Sequence, residues 1–236
     1  MSNESKPYWH RQLLEPRAGL FAILTTVMIS IGGLVEIVPM FTVKANRAAT
    51  ETVAPYTPLE VAGRDIYIRE GCYVCHSQMV RPFRDETLRY GQWSRSEEYV
   101  WDRPFLLGSR RIGPDLHRVG GKYPDAWHYE HMKDPRSITT QSLMPPYPWL
   151  HEWKIDPEDV RASVVALSRV GTPYSDADIA NVPAQLQQQG TEIAERMATA
   201  GIEVEWDHEI IALTAYLQRL GRMTDKTDQV AAGGGE

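Results

Sequence analysis

The sequence predicts a mainly α-helical protein, with a single N-terminal transmembrane helix followed by a helical domain with long ordered loops. Three observations carry this. A run of 24 residues, Ala18 to Phe41, holds a single ionisable group, Glu36. Later segments place apolar residues at helical spacing and end at glycine or proline. The stretches between them are rich in Arg, Gly and aromatics and lack two-residue alternation, so strands are nearly absent from the expectation. With 236 residues, 42% of them hydrophobic, the chain can bury one good core, or one core and a small appendage. A formal net charge of -6 and the lack of a basic run with interleaved aromatics argue against a nucleic-acid partner.

The apolar run "AGLFAILTTVMISIGGLVEIVPMF" is long enough to cross a bilayer core of about 30 Å at 1.5 Å per residue. An uncleaved anchor in membrane lipid is expected, because a cleavable leader has a shorter apolar core ahead of a small-residue site. Lys6, Arg11 and Arg17 precede the span, and Lys44 and Arg47 follow it, a slight lean toward a cytoplasmic N-terminus. Tyr8, Trp9 and His10 suit an interfacial belt on that side. Glu36 falls about 10 Å past the middle of the span. A carboxylate facing lipid alone is costly, so Glu36, with Gly32 and Gly33 nearby, is expected to meet another transmembrane helix. Snorkelling to the interface is the plainer alternative.

Residues 42–58 are expected to form a Thr/Ala/Pro connector. From "LEVAGRDIYIREGCYVCH" the pattern turns helical, with Val61, Ile66 and Tyr67 on one side and Gly63 where a second helix could approach. The Arg- and Gly-rich stretch after it predicts ordered loop with one or two helical turns. "DAWHYEHMKDP" predicts a short helix stopped at Asp134-Pro135. The prolines at 145, 146 and 148 exclude helix and central strand from "SLMPPYPWL". Asp156 caps a helix that Gly171 closes. "PAQLQQQGTEIAERMATAG" predicts a polar, exposed helix weakened at Gly190, and "DHEIIALTAYLQRLG" an amphipathic one ending at Gly221. Residues 223–236 are expected to be a disordered tail.

Cys72 and Cys75 are the only cysteines, and His76 follows them directly. A dithiol redox pair calls for a βαβ setting and a helix N-terminus that depresses a thiol pKa, and neither is visible. A zinc site needs four ligands; His128 and His131 could complete one, but they lie on a predicted helix. The third chemistry is c-type haem attachment, in which two thiols two residues apart form thioethers and the next residue lies under the iron. The appended histidine favours it, as does an anchor that delivers the domain to the outer side of a bacterial membrane.

A sixth ligand is then required. Met79 is too close to His76 to reach the other face, Met132 lies beside His128 and His131, and Met197 and Met223 lie in polar segments. Met144 follows a loop and precedes Pro145-Pro146, which hold the backbone stiff enough to present a thioether. A ligating imidazole usually donates from its other nitrogen to a carbonyl, and Pro114 in "IGPDL" offers one. His117 could be a ligand instead, but a histidine in such a glycine-flanked loop is more often at the surface or facing a haem propionate, as expected here.

These residues resemble a class I cytochrome c, and more narrowly subunit II of the cbb3-type cytochrome c oxidases, the membrane-anchored monohaem subunit. The general features are Gly63-x3-Tyr67, Cys72–His76, Gly113-Pro114-Asp115-Leu116, Met144-Pro145 and Leu213-x2-Tyr216-Leu217. The narrower likeness spans nearly the whole chain, including "LVEIVPMF", "CHSQMVRPFRDETLRYG", "WSRSEEYVWDRPFLLGSRRIGPDLHRVGGKY" and "SLMPPYPWL". The resemblance implies a class I cytochrome c-like fold whose first and last helices cross at Gly63, Tyr67 and Tyr216. It implies one covalent haem c on Cys72 and Cys75, with His76 and Met144 on the iron.

It implies partners as well: a haem-copper catalytic subunit, a dihaem cytochrome c subunit, and a soluble cytochrome c as an alternative donor. The chain would pass single electrons inward to a b-type haem, with dioxygen reduced elsewhere and no catalytic residue of its own. The domain order would be 1–17 cytoplasmic, 18–41 transmembrane in the bacterial inner membrane, 42–58 connector, 59–222 periplasmic cytochrome c domain and 223–236 tail. Arg81, Arg84 and Arg110 become candidates for propionate or partner contacts. The segment between Met144 and the last helix is longer than small cytochromes carry, and docking on neighbouring subunits is its expected role. The alternatives are a free-standing anchored cytochrome serving another complex, and a zinc- or thiol-based membrane assembly factor.

Overall fold

The computed structural model describes residues 8–42 and 53–222, which are mainly helical and contain no strand. The tail at 223–236, Lys6, Lys44, Arg47 and most of the expected connector lie outside the described residues. By chain contacts the protein divides into two units, Met1–Ala48 and Ala49–Glu236.

The first unit holds α1 (Trp9–Leu13) and α2 (Ala18–Thr42). Within α2, Ala18–Pro39 is long and apolar enough to cross a membrane, and none of its most apolar window is buried inside the chain. A helix with an apolar surface all round needs lipid or other helices against it. Thr26 is reconciled with that surface by donating its hydroxyl to the Ala22 carbonyl at 2.9 Å. Gly32 and Gly33 have nothing within 4 Å of a built Cβ, so they leave open surface beside the exposed Glu36.

The second unit is organised by one helix crossing. α3 (Pro58–Arg69) opens with a capping box, in which Thr57 and Glu60 each satisfy the other's backbone N–H, and with Pro58 at its first position. α11 (Glu209–Arg219) is buried on almost every side, with Ile210, Ile211, Ala212 and Tyr216 fully enclosed. The two helices meet where α3 has no side chain: a Cβ on Gly63 would lie 2.0 Å from the Ala212 carbonyl oxygen and 2.8 Å from the Tyr216 Cβ. The Tyr67 and Tyr216 rings pack 5.4 Å apart beside that contact. At one end Arg69 reaches Glu209 with two hydrogen bonds, at 2.7 and 2.5 Å.

Around this pair lie α4 (Cys72–Cys75), α5 (Arg84–Tyr90), α6 (Asp125–Lys133), α7 (Pro135–Ile138), α8 (Pro157–Arg169), α9 (Asp176–Ala180) and α10 (Val182–Thr199). Asp156 caps α8 by accepting from the Glu158 N–H at 2.9 Å, and Gly171 and Gly221 take positive φ just past α8 and α11. The Pro-rich loop contains one 3₁₀ turn, Pro148–His151, because Pro148 stands where a first-turn N–H has no partner to lose.

Two expectations are corrected here. α10 runs unbroken through Gly190 and is exposed on one face only. Val182, Leu186, Ile193 and Met197 are buried at helical spacing, and Gly190 lets the Trp206 backbone pass, where a Cβ would lie 2.5 Å from its carbonyl oxygen. α8 and α10 pack on α3, and α10 also on α11, so the inserted helices have an intramolecular task. In addition, Val53 and Tyr56, inside the expected connector, are buried in the core, and Trp101 donates to the Val53 carbonyl at 2.7 Å.

Candidate functional site

A cavity of about 530 Å³ opens between α4 and the 112–116 segment on one side and α6 and the 139–147 loop on the other, with Tyr67, Leu213 and Leu217 from the crossing helices also lining it. That volume lies within the range of small-molecule and cofactor pockets.

The first wall is built from the cysteine segment. α4 is a single turn, so Cys72 and Cys75, three residues apart, present their sulfurs to the same side. Both thiols are half-buried and line the cavity. Burial above all, then the nearby Glu70, pushes the Cys72 thiol up to about 12. This is the opposite of the lowered pKa a thiol redox centre needs. His76 leaves the helix in extended conformation, and its Nδ1 donates to the Pro114 carbonyl at 2.8 Å. A carbonyl can only accept, so this bond fixes the proton on Nδ1 and leaves the Nε2 lone pair as the ring's ligand position. Burial lowers the His76 pKa, opposed by the Pro114 contact and by Asp115.

The loop carrying Pro114 is fastened to the cysteine segment along its length. Gly113 N–H donates to Cys75 O at 3.0 Å and Leu116 N–H to Ser77 O at 2.9 Å. The buried Asp115 carboxylate accepts from Ser77 Oγ at 2.7 Å and from the N–H groups of Met79 and His117 at 2.8 and 2.9 Å. Such a carboxylate, saturated by donors from both strands of the loop, fixes their register.

The opposite wall presents Tyr123, Trp127, His128, His131 and Met132 from α6 and the residues leading into it, and Met144 from the following loop. Tyr123 stacks on Trp127 at 4.0 Å, and Trp127 on His131 at 4.5 Å. Tyr147 N–H donates to Met132 O at 2.8 Å and Arg136 Nε to Ser142 O at 3.3 Å, which pins the Met144 loop to the end of α6. Burial first, and then the charge of His76, lowers the His131 pKa; burial chiefly holds His128 down at about 4. Cys72, Cys75, His76 and Met144 thus line one cavity, and Pro114 lies behind His76.

His128 and His131 line the same cavity as the cysteines but gather into no metal-binding cluster with them. Among the described residues the donors gathered closely enough to share an ion are Glu205, Asp207 and His208, far in sequence from the Cys pair. Arg81, Arg84 and Arg110 do not line the cavity; Arg118, Lys122 and Tyr90 do. Arg81 instead pairs with Glu86. His117 is neither at the surface nor in the cavity wall. It is 1% exposed, with Nδ1 2.5 Å from the Tyr99 hydroxyl and 2.6 Å from that of Ser94. Arg118, though in the lining, spends its guanidinium on Glu98 at 2.5 and 2.8 Å and on the Gln92 and Trp93 carbonyls. The 127/131 spacing was the available signal for the aromatic wall, since four-residue spacing puts those two rings on one helix face, with Tyr123 stacking on Trp127 from just ahead of the helix.

A family model described as "Cytochrome C oxidase, mono-heme subunit/FixO" matches residues 10–224. No curated protein matches the sequence.

Proposed function

We propose, from the premise that this chain belongs to the family of mono-haem cytochrome c oxidase subunits known as FixO, that it is the membrane-anchored electron carrier of a cbb3-type oxidase. Family membership gives the coarse statement: a mono-haem subunit of a cytochrome c oxidase complex, working in electron transport. The finer assignments rest on the cavity.

One observation carries them: two thiols on one helical turn, an imidazole with its Nδ1 proton already committed, and a thioether all line a single cavity. A flat, covalently tethered macrocycle fits this donor set. Cys72 and Cys75 would hold haem c through thioethers, and the Nε2 atom of His76 and the sulfur of Met144 would be the axial ligands. Bound there, haem c supplies a one-electron valence change.

The chain's own residues then have three tasks. Pro114 keeps the His76 ring oriented and its Nε2 deprotonated. Leu213, Leu217, Trp127 and Met132 keep water out, which with a thioether ligand favours a high potential. The helix crossing and the Asp115 clasp keep both walls in place, so that little rearrangement accompanies a change of charge. Water exclusion and fixed ligands suffice for electron transfer, and no residue is required to move a proton.

The anchor would hold the haem domain on the periplasmic side of the inner membrane. Electrons would come from a dihaem subunit or a soluble cytochrome c and leave toward a b-type haem of a haem-copper subunit. The test is purification of the tagged full chain from its native membrane in mild detergent. Copurification with a haem-copper subunit, and reoxidation of this haem on exposure to dioxygen only when that subunit is present, are expected. A haem-bearing chain that purifies alone from an oxidase-containing membrane would contradict the assignment.

A further inference from the structure

The cavity that His76 lines carries more metal-binding capacity than one thioether. His131 is half-buried in its lining, and its Nδ1 is closed off from solvent with no hydrogen-bond partner. An unpaired buried polar atom is destabilising, and one kept in a native structure calls for an explanation. The ring lies flat on Trp127, 4.5 Å away and tilted by 15°. A flat stack lets a ring slide in its own plane without losing contact.

His131 also shares the methionine's wall. It precedes Met132, whose carbonyl accepts from Tyr147 N–H at 2.8 Å, and the Arg136 bond to Ser142 O ties the near side of the same loop. The neighbouring His128 is differently placed. Its Nε2 is likewise closed off without a hydrogen-bond partner, but it is 1% exposed and set edge-on to both Tyr123 and Trp127, with interplanar angles of 84° and 90°, so it has no flat stack to slide on.

Resting on the reading that a haem lies here between His76 and Met144, we propose that His131 is a reserve axial ligand, whose imidazole takes the sixth position when the Met144 thioether is withdrawn. The exchange breaks one iron–sulfur bond and forms one iron–nitrogen bond. No electron moves, and a neutral imidazole needs to lose no proton to bind. Imidazole in place of thioether lowers the potential, so the exchange would convert a ready electron acceptor into a poor one.

The test uses the full chain, matured with haem and held in detergent, read by electron paramagnetic resonance of the ferric form and by redox titration. Met144→Ala is expected to stay low-spin with a bis-imidazole signature and a lowered potential. Met144→Ala with His131→Ala should become high-spin, and added free imidazole should restore the low-spin signal, showing an intact cavity. Met144→Ala with His128→Ala should remain low-spin. A high-spin Met144→Ala that free imidazole converts, or a Met144→Ala/His131→Ala pair that stays low-spin unaided, would overturn the proposal. Failure of the underlying reading looks different: no covalent haem in the unsubstituted chain, or a Met144→Ala spectrum and potential unchanged from it, removes Met144 from the iron and the reserve role with it.

Discussion

A methyl group on Gly113 would lie 2.2 Å from Cε1 of His76, inside the imidazole ring's own space. Gly113 does not have a positive φ, so alanine is rejected there by the ring and not by the backbone. Gly113→Ala must therefore displace His76 or the loop that carries Pro114, while the core beneath has no reason to change. The expected result is a folded chain with a weakened His76–Pro114 bond, seen as a shifted potential and a partly high-spin ferric spectrum. An unaltered spectrum would show that the histidine is not held by this loop.

The α3–α11 crossing should be the most sensitive point of the fold. At Gly63 the obstacle is the Ala212 carbonyl, 2.0 Å from a built Cβ, and backbone cannot step aside as a side-chain tip can. Gly63→Ala should cost about 2–3 kcal/mol or more, the upper range for overpacking, read as a lowered denaturation midpoint. Gly32→Ala, with nothing within 4 Å, should be neutral in the isolated chain.

Met197 is fully buried on α10. If the inserted helices complete the core, Met197→Ala should lower stability by about 2–5 kcal/mol in the isolated chain, the usual cost of emptying an enclosed site. A helix serving only to dock on another subunit would show a loss of assembly with stability intact. For the same reason, deleting residues 172–200 should unfold the domain rather than merely free it from partners.

Acid should destabilise the domain in two windows. Burial first, then the charge of Arg118, holds His117 down at about 4, below its ordinary 6.5. Its folded form is neutral, so its contribution is complete above about pH 6.5 and is lost as pH falls through about 4. For Glu86, burial opposes ionisation, but hydrogen bonds from Arg81 and Arg111 outweigh it and hold the carboxyl at about 2. That contribution is present above about pH 4.5, the ordinary value, and is lost as pH falls toward 2. Denaturant midpoints should fall below pH 6.5. His117→Gln should reduce the slope between 6.5 and 4, where His128 also titrates, and Glu86→Gln the slope below 4.5. Unchanged slopes in both variants would refute the assignment.

The legible parts of this molecule are those where local chemistry and tertiary use coincide. The apolar run announced α2, the Asp156 cap announced α8, and Gly63 announced a close helix crossing because nothing else in α3 lacks a side chain at the contact. Cys72, Cys75, His76 and Met144, singled out by the residue types that haem attachment calls for, line one cavity. α10 was misread because three glutamines in a row mask a buried stripe whose members stand three or four positions apart. His117 was misread because a histidine in a loop bounded by glycines has no local sign of burial; its partners Ser94 and Tyr99 are 23 and 18 residues away. Arg81, Arg84 and Arg110 do not line the cavity, and for Arg81 the reason is plain: an arginine's reach depends on which acid it meets, and Arg81 meets Glu86.

The central claim is that a haem is joined covalently to this polypeptide through Cys72 and Cys75. Intact mass spectrometry of the full chain, purified under denaturing conditions from a host that matures c-type cytochromes, tests it most directly. A mass equal to the 26.8 kDa polypeptide plus one haem is expected, falling to the bare polypeptide in Cys72→Ala/Cys75→Ala. A colourless chain at the bare mass with both cysteines present would contradict it.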